Sequence, residues 1–169
     1  SAVTAQTFFN LAPLYMNWMQ AWSDCQREDG GMPHTAPNPY TAGGGPYWCG
    51  FIIPASWQTY VNYGDMRLME RYYPVMQKWL GYAESYQVDG MLKQWPNTEY
   101  RGWYLGDWVP PMGINPQDPL SIDIVNNCFL SDCYHMMTKI AKVLGKEADI
   151  LGYQQKHEVL NALIHETFF

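Results

Sequence analysis

Apolar side chains recur along most of this chain in steps of three and four residues, the spacing that places them on one face of an α-helix. The clearest series consists of Leu68, Tyr72, Val75, Trp79, Tyr82 and Tyr86. Two later series consist of Phe129, Cys133, Met136, Ile140 and Val143, and of Ile150, Tyr153, His157, Leu160 and Ile164. The pattern therefore predicts an all-α fold.

Two further helices are predicted nearer the N-terminus. One extends from about Thr7 to Glu28 and is kinked at Pro13, because a proline inside a helix removes a hydrogen bond and clashes with the preceding turn. The other extends from about Gly50 to Asn62, with Pro54 in its first turn, where proline is tolerated. A short β-hairpin near Val88 to Trp95 is the only strand structure that the pattern predicts.

The connections between the helices are of two kinds. Gly64 and Gly145 lie in tight helix-to-helix turns, at the position after a helix that favours glycine. The segments from Asp29 to Trp48 and from Gln87 to Leu120 are long loops rich in proline and glycine, and long ordered loops of this kind are more often functional than passive. The same offset separates Gly64 from Gly145 and Tyr72 from Tyr153, which indicates a repeated unit of one helical hairpin followed by one long loop. An array of such units would collect its tight turns at one end and its long loops at the other. A closed ring of hairpins would carry its functional site at the long-loop end.

Composition and charge narrow the function classes. The net charge is −6 and the basic residues are scattered, which argues against a partner such as nucleic acid or an anionic membrane. No apolar run approaches the ~18 residues of a membrane span. Only 15% of the residues are charged, whereas 16% are aromatic. Either the surface binds a ligand through aromatic rings, or part of it packs against protein outside this chain.

The cysteines indicate neither a metal centre nor a redox motif. Cys25, Cys49, Cys128 and Cys133 form no CxxC pair and have no histidine at metal-ligand spacing, so we expect buried free thiols. The sequence also lacks a Gly-rich phosphate loop, a GxSxG elbow and an HExxH motif. No metal and no cofactor are predicted.

Three clusters in or beside the long loops have the composition of a ligand site. The first is GGGPYWCG, Gly43 to Gly50, whose glycines and proline hold Tyr47 and Trp48 just before a helix. The second is RGWYLGDWVPP, Arg101 to Pro111, which contains Trp103, Asp107 and Trp108. The third is the pair Asn126 and Asn127, at the predicted start of the fourth helix.

Aromatic faces beside a carboxylate suit a sugar, because the apolar side of a pyranose stacks on indole while a carboxylate or amide pairs with its hydroxyls. The alternative is that Trp48, Trp103 and Trp108 close the helix ends as core residues and that Asp107 caps a turn. A glycosidase needs two carboxyl groups across the scissile bond, and only Asp107 lies in a loop of this character. Asp24, Glu28 and Asp29 fit the polar end of a helix followed by a turn.

Several motifs in this order resemble the catalytic domain of bacterial α-L-rhamnosidases, the inverting six-hairpin glycosidases. They are WSDCQREDGGMPHTAPNPYTAGGGPYWCGFIIPASWQTYVNYGD, YYPVMQKWLGY, LGDWVPP and NNCFLSDCYHMMTKIAKVLGK. The resemblance covers nearly the whole chain and implies helical hairpins that form part of an (α/α)6 barrel. Since the chain opens without Met and stops inside a helical pattern, we expect residues 1–169 to be a single segment, about half of such a barrel, truncated at both ends.

The resemblance also implies roles for individual residues. The general acid and the general base are Glu residues expected upstream of Ser1 and beyond Phe169, so no catalytic residue is expected within the segment. The expected contacts to the rhamnose ring are Trp48, Asp107 and Trp108, with Trp103, Tyr47 and Asn126 as additions. Many members of the family carry an Asp shortly after the Trp that aligns with Trp48, where this chain has Cys49 and Gly50.

The expected function is thus that of a segment of a glycoside hydrolase that releases terminal α-L-rhamnose with inversion, inactive when isolated. Two alternatives stay open: another six-hairpin glycosidase, trehalase-like or glucoamylase-like, and a non-catalytic helical carbohydrate-binding module. The expected partners are a rhamnose-containing oligosaccharide or glycoside, the remainder of the barrel and accessory β domains. The resemblance favours a periplasmic or secreted protein.

Overall fold

A computed structural model describes residues 2–38, 45–95, 104–107 and 118–169. The helices are α1 (Ala2–Phe8), α2 (Ala12–Asp24), α3 (Pro46–Cys49), α4 (Ile52–Tyr63), α5 (Arg67–Glu84), α6 (Pro119–Val143) and α7 (Glu147–Phe168). Two strands, β1 (Gln87–Val88) and β2 (Met91–Leu92), form an antiparallel pair between α5 and α6. The all-α prediction is confirmed. No helix within these ranges is both long and apolar enough to cross a lipid bilayer.

The first predicted helix is two helices rather than one kinked helix. Pro13 lies in the first turn of α2 and cannot continue a helix from the preceding segment. The Tyr63 hydroxyl satisfies the backbone at the break: it donates to the carbonyl of Phe9 (2.7 Å) and accepts from the amide of Leu11 (3.2 Å). A side chain from the end of α4 therefore stabilises the chain where proline interrupts it.

The repeated hairpin is confirmed by backbone conformation. Gly64 ends α4 with a φ of +67° and Gly145 follows α6 with a φ of +65°, both in the left-handed region that disfavours side chains. Tyr72 of α5 and Tyr153 of α7 are both buried at matching places after these turns. The units α4–α5 and α6–α7 are therefore two copies of one helical hairpin.

The core lies between the hairpins and is rich in aromatic and sulfur-containing side chains. Of the series predicted for α5, Leu68, Tyr72, Trp79 and Tyr82 are buried and Val75 is half-buried, and Met69 and Met76 add fully buried side chains that the series did not include. α6 is enclosed by α3, α4, α7 and β2, and it contributes Leu130, Met137 and Ile140. Other elements therefore cover α6 on several sides, and residues 105 and 107 also pack against it.

The start of α6 differs from the sequence prediction. The helix begins at Pro119, and the Asp118 carboxylate caps it by accepting a hydrogen bond from the Ser121 amide at 2.8 Å. An Asp-Pro pair is a strong helix start, since proline suits the first helical position. Asn126 and Asn127 therefore lie two turns inside α6 rather than at its beginning.

Polar contacts show which ends of the helices lie together. Near the Gly145 turn, the Asp149 carboxylate of α7 accepts from the Tyr73 hydroxyl (2.8 Å) and from the Gln77 amide (3.3 Å), both in the middle turns of α5. Gly45 and residues 104–107 of the long loops instead contact the first half of α6, whereas Gly30 and Ala36 contact α5 and α2. The predicted separation of tight turns from long loops therefore holds for these hairpins.

All four cysteines are free thiols. Cys49 and Cys133 are buried and Cys25 is half-buried, but Cys128 is exposed, so the expectation of burial is wrong at that position. Cys128 lies in α6 directly after the buried Asn127, and the next residue around a helix turns toward a different face.

Candidate functional site

Tyr47 and Trp48 lie on the short helix α3, where they form an aromatic corner. Gly45 precedes the helix in an extended conformation and Pro46 occupies its first position. The two rings meet edge to face, with 5.6 Å between centroids, and Tyr47 packs edge to face on Phe129 of α6 at 5.3 Å. Tyr47 is 53% exposed, whereas Trp48 is half-buried. The corner thus presents aromatic surface to solvent while it is anchored to α6.

Behind this corner the backbone approaches the core closely. A Cβ atom on Gly50 would lie 2.6 Å from the ring of Trp79 and 2.7 Å from that of Phe129. Only glycine fits such an approach, because side-chain carbon atoms essentially never come this near. The C-terminal end of α3 is therefore pressed against two aromatic rings of α5 and α6.

Asp107 lies at the exposed end of a buried segment. Tyr104 and Leu105 are 2% and 4% exposed, whereas Asp107 faces solvent. The Asp107 amide donates to the Ser121 hydroxyl at 2.7 Å. At Gly106 a Cβ atom would lie 2.5 Å from that hydroxyl and 2.6 Å from the Ile122 nitrogen. This loop therefore packs backbone to backbone against the first turn of α6. Trp103 and Trp108, the other predicted contacts here, lie outside the described residues.

Asn126 contacts two chain segments from inside the protein. They are residues 45–50, called the Trp48 loop, and residues 104–107, called the Asp107 loop. Its amide nitrogen donates to the Leu105 carbonyl (2.9 Å) and to the Ile122 carbonyl one turn earlier in α6 (2.8 Å). Its amide oxygen lies against Gly45, where a Cβ atom would be only 2.9 Å away. The side chain is 1% exposed, so it contacts the loops and not the solvent.

Asn127 holds the β-hairpin in the same way. Its amide accepts from the Leu92 nitrogen (2.8 Å) and donates to the Leu92 carbonyl (3.1 Å), as a neighbouring strand would. Beyond Leu92, the Trp95 ring packs edge to face on Tyr104 with 4.9 Å between centroids. Three chain segments distant in sequence therefore meet on two adjacent asparagines.

A cleft of about 530 Å³ opens beside Asp107, between the first turns of α6 and the last turn of α7. Its lining consists of Asp107, Asp118, Leu120, Ser121, Ile124, Val125, Thr167 and Phe168. The two carboxylates and two hydroxyls can pair with sugar hydroxyl groups, and the aliphatic side chains form an apolar wall. Asp118 and Ser121 are additions to the predicted site, and the Asp-Pro helix start was the signal that marked them.

Burial sets the protonation of the tyrosine that precedes Asp107 in the same segment. Desolvation raises the pKa of the Tyr104 hydroxyl well above its ordinary value, and the nearby Asp123, Cys49 and Tyr82 raise it further. The phenol therefore stays protonated and donates to the Lys93 carbonyl at 3.4 Å. Within the described residues, no three His, Cys, Asp or Glu side chains are grouped closely enough to hold a metal ion.

The acidic group near the end of α2 forms local contacts, as the sequence suggests. Asp24 accepts from the Gln20 amide at 2.6 Å. Asp29 accepts from the Arg27 guanidinium (2.9 Å) and from the Gly31 amide (2.9 Å), which closes the turn after the helix. The Arg27 hydrogen bond holds the pKa of the Asp29 carboxyl below its ordinary value, with burial opposing the shift and the Gly31 amide adding to it.

Comparison with known proteins extends these observations. Residues 1–169 match the family described as the bacterial alpha-L-rhamnosidase 6 hairpin glycosidase domain. An alpha-L-rhamnosidase of Formosa agariphila is 26% identical over 162 residues, which are 92% of this chain and 16% of that protein. One of Alteromonas sp. is 26% identical over 173 residues, 94% of this chain and 17% of that protein. The chain thus spans about a sixth of these curated relatives.

Solved structures share the fold. The alpha-L-rhamnosidase of Dictyoglumus thermophilum aligns over 95% of this chain and 17% of its own, with a TM-score of 0.83 and 24% identity. That of Streptomyces avermitilis, solved in complex with L-rhamnose, aligns over 94% of this chain and 14% of its own, with a TM-score of 0.76 and 21% identity. The helical hairpins are thus those of an (α/α)6 barrel. By its full-length match, this chain belongs to the bacterial alpha-L-rhamnosidase six-hairpin glycosidase family.

Proposed function

We propose that the intact protein hydrolyses glycosides that end in α-L-rhamnose, with inversion at the anomeric carbon. The family membership and the two relatives named alpha-L-rhamnosidase support the reaction class. The observation that carries the proposal for this chain is the convergence of the Trp48 and Asp107 loops on one stretch of α6. Asp107 is bonded to Ser121 in the first turn of α6, and Tyr47 packs on Phe129 about two turns further along the same helix.

In the proposed reaction a water molecule attacks the anomeric carbon while a carboxylate takes its proton. A second carboxyl group protonates the glycosidic oxygen, the bond between this oxygen and the anomeric carbon breaks, and the transition state resembles an oxocarbenium ion. We assign both carboxyl groups to parts of the protein outside residues 1–169. The isolated segment should therefore have no hydrolase activity.

The role of this segment is to orient the sugar. Tyr47 and Trp48 offer aromatic surface on which the apolar face of a pyranose can stack. Asp107 offers carboxylate oxygens that accept hydrogen bonds from vicinal hydroxyls, and these bonds strengthen as positive charge develops at the anomeric carbon. We include Trp103 and Trp108 in the same wall because they flank Asp107 in sequence.

The cleft beside Asp107 also suits a deoxy sugar. Rhamnose carries a methyl group where glucose carries a hydroxymethyl group, and a methyl group gains from contact with aliphatic side chains. Leu120, Ile124 and Val125 supply such contacts beside the polar groups Asp107 and Ser121. This contact favours a 6-deoxyhexose over glucose.

We further propose that residues 1–169 form about half of the catalytic barrel, completed by the rest of the protein together with accessory β domains. The low coverage of the relatives supports a partial extent, since each is about six times longer than the matched region. The exposed Leu151 and Val159 of α7 are sites that further helices would cover.

The test is an assay of the full-length protein with aryl α-L-rhamnosides, aryl α-glucosides and trehalose. We expect cleavage of the rhamnosides alone, and proton NMR in the first minutes should show β-L-rhamnose before mutarotation. Cleavage of a glucoside or trehalose instead would assign the protein to another six-hairpin activity. Release of the α-anomer first would contradict inversion, and binding of rhamnosides without cleavage would indicate a carbohydrate-binding module.

A further inference from the structure

We propose that Asn126 is a positioning residue that sets the spacing between the Trp48 loop and the Asp107 loop, rather than a contact to the sugar. This inference rests on the proposed function for its catalytic consequence and on the geometry of the described residues for its structural part. Asn126 is one of the predicted sugar contacts, and its environment in α6 gives it a different role.

Both hydrogens of the Asn126 amide are used inside the protein. They bond to the carbonyls of Leu105 and Ile122 at 2.9 and 2.8 Å, and the side chain is 1% exposed. A sugar hydroxyl has no access to such a group unless the loop is displaced. The bond to Leu105 instead fixes the backbone two residues before Asp107.

The amide oxygen of Asn126 faces the other loop and is buried without a hydrogen-bond partner among the described residues. It packs against Gly45, where a Cβ atom would lie 2.9 Å from the oxygen and 3.4 Å from the Cγ atom. The Gly45 carbonyl in turn accepts from the amides of Trp48 (3.0 Å) and Cys49 (3.1 Å), which begins α3. Any shift of the Asn126 side chain is therefore transmitted to the helix that carries Tyr47 and Trp48.

One planar amide thus contacts both loops at once. Its nitrogen side faces the Asp107 loop and its oxygen side faces the Trp48 loop, and Ile122 anchors it to α6. Because close-packed interiors transmit strain instead of absorbing it, the amide acts as a spacer of fixed width. Displacement of catalytic or binding groups by about 1 Å can cost about a hundredfold in rate.

Asn127 is the matched control for this role. It is also fully buried, and it bonds the Asp123 carbonyl one turn earlier in α6 at 2.9 Å. Its other bonds go to Leu92 in the β-hairpin and not to the loops that carry Tyr47, Trp48 or Asp107. Asn127→Ala removes three buried hydrogen bonds and Asn126→Ala removes two, so the Asn127 variant should lose at least as much stability as the Asn126 variant.

The experiment compares Asn126→Ala and Asn127→Ala in the full-length protein by three measurements. Hydrogen–deuterium exchange of peptides that cover residues 45–49 and 104–107 reports the loops without any substrate. Inhibition by free L-rhamnose reports sugar affinity, and kcat with KM on an aryl α-L-rhamnoside reports catalysis. The thermal midpoint of each variant corrects for general destabilisation.

We expect Asn126→Ala to raise exchange in both loop peptides and to lower kcat/KM about a hundredfold. Asn127→Ala should raise exchange at residues 91–92 and change kcat/KM by no more than about threefold. Equal loss of activity in the two variants at equal thermal midpoints would overturn the positioning role. Faster exchange in only one of the two loops after Asn126→Ala would also contradict it.

A double-mutant cycle adds a test of the contact with Gly45. Gly45→Ala alone should weaken rhamnose binding, since the new methyl group meets the Asn126 oxygen. In the Asn126→Ala background the same substitution should have a smaller effect, because the methyl group gains space. Additive effects in this cycle would contradict a direct coupling between Asn126 and the Trp48 loop.

The outcome separates the two proposals. If the wild-type protein cleaves no rhamnoside, the proposed function fails, and the exchange measurement still decides whether Asn126 couples the loops. If the wild type cleaves rhamnosides but the Asn126 and Asn127 variants behave alike, the function stands and the positioning role fails.

Discussion

The backbone amide of Asp107 donates a hydrogen bond to the hydroxyl of Ser121, with 2.7 Å between the two atoms. Ser121 is itself held by the Asp118 cap at the start of α6. The position of the Asp107 carboxylate is therefore set by a helix end and not by a free loop. Groups placed on rigid elements in this way hold the orientation that binding and catalysis require.

The first prediction concerns the charge at this position. In the full-length protein, Asp107→Ala should lower the rate on an aryl α-L-rhamnoside at least about a hundredfold, because it removes a charged contact to the transition state. Steady-state kinetics measure the effect. Asp132→Ala, on the exposed side of α6, removes one negative charge elsewhere and should leave the rate within a few-fold. A few-fold effect at Asp107 would exclude this residue from the site.

The second prediction tests the close approach of the Asp107 loop to α6. A methyl group at Gly106 would meet the Ser121 hydroxyl and the Ile122 nitrogen, so Gly106→Ala should destabilise the protein by about 1 to 3 kcal/mol. The activity should fall as well, since Asp107 is displaced. Thermal unfolding and kinetics check both effects.

Gly81→Ala is the matched control for this substitution. Gly81 lies inside α5 with nothing within 4 Å of the added carbon. Alanine is the better helix former there, so the variant should be more stable by about 0.5 to 1 kcal/mol with unchanged activity. If both substitutions destabilise the protein, the loss at Gly106 is not due to its close contact with α6.

The third prediction concerns aromatic stacking by Trp48. Trp48→Ala should weaken inhibition by L-rhamnose about tenfold, in line with the energy of an aromatic contact. Trp48→Phe should retain part of the affinity. Trp57→Ala is the control, because Trp57 of α4 is also half-buried but packs with Tyr60 and Lys139. Equal effects at the two tryptophans would point to stability instead of sugar binding.

The fourth prediction follows from the lowered pKa of Asp29. A carboxyl whose pKa is lower in the folded state contributes stability above its ordinary pKa of 3.8, and this contribution is lost as the pH falls through the folded value. At neutral pH, Asp29→Asn should therefore be less stable than wild type. The difference should begin to shrink as the pH approaches the ordinary pKa and should vanish below the lower pKa of the folded state.

The size of this effect is small. The Asp29 side chain is 53% exposed, so its pair with Arg27 should contribute no more than about 1 kcal/mol, and less at high salt. Thermal midpoints of wild type and variant between pH 3 and 7 measure it, with Asp132→Asn as the control for loss of charge. A difference that grows toward acid pH would contradict the assignment.

The helices and their turns could be predicted from the sequence because the interactions that form them are local. Apolar spacing identified α5, α6 and α7, and glycine identified the turns at Gly64 and Gly145, where left-handed backbone is needed. The limits of this approach appear at Pro13, which the pattern reads as a kink. The Tyr63 hydroxyl, from a distant helix, stabilises a complete break there.

The arrangement of the site was decided only by tertiary structure. Spacing along α6 identifies the face on which Asn126 lies, but it carries no information about which loops cover that face. The contacts of Asn126 with Gly45 and Leu105 join parts of the chain that are far apart in sequence. The sequence by itself therefore determined the hairpins and the composition of their loops. Packing alone determined that an amide expected to bind sugar is enclosed between those loops, because burial depends on what folds over a residue.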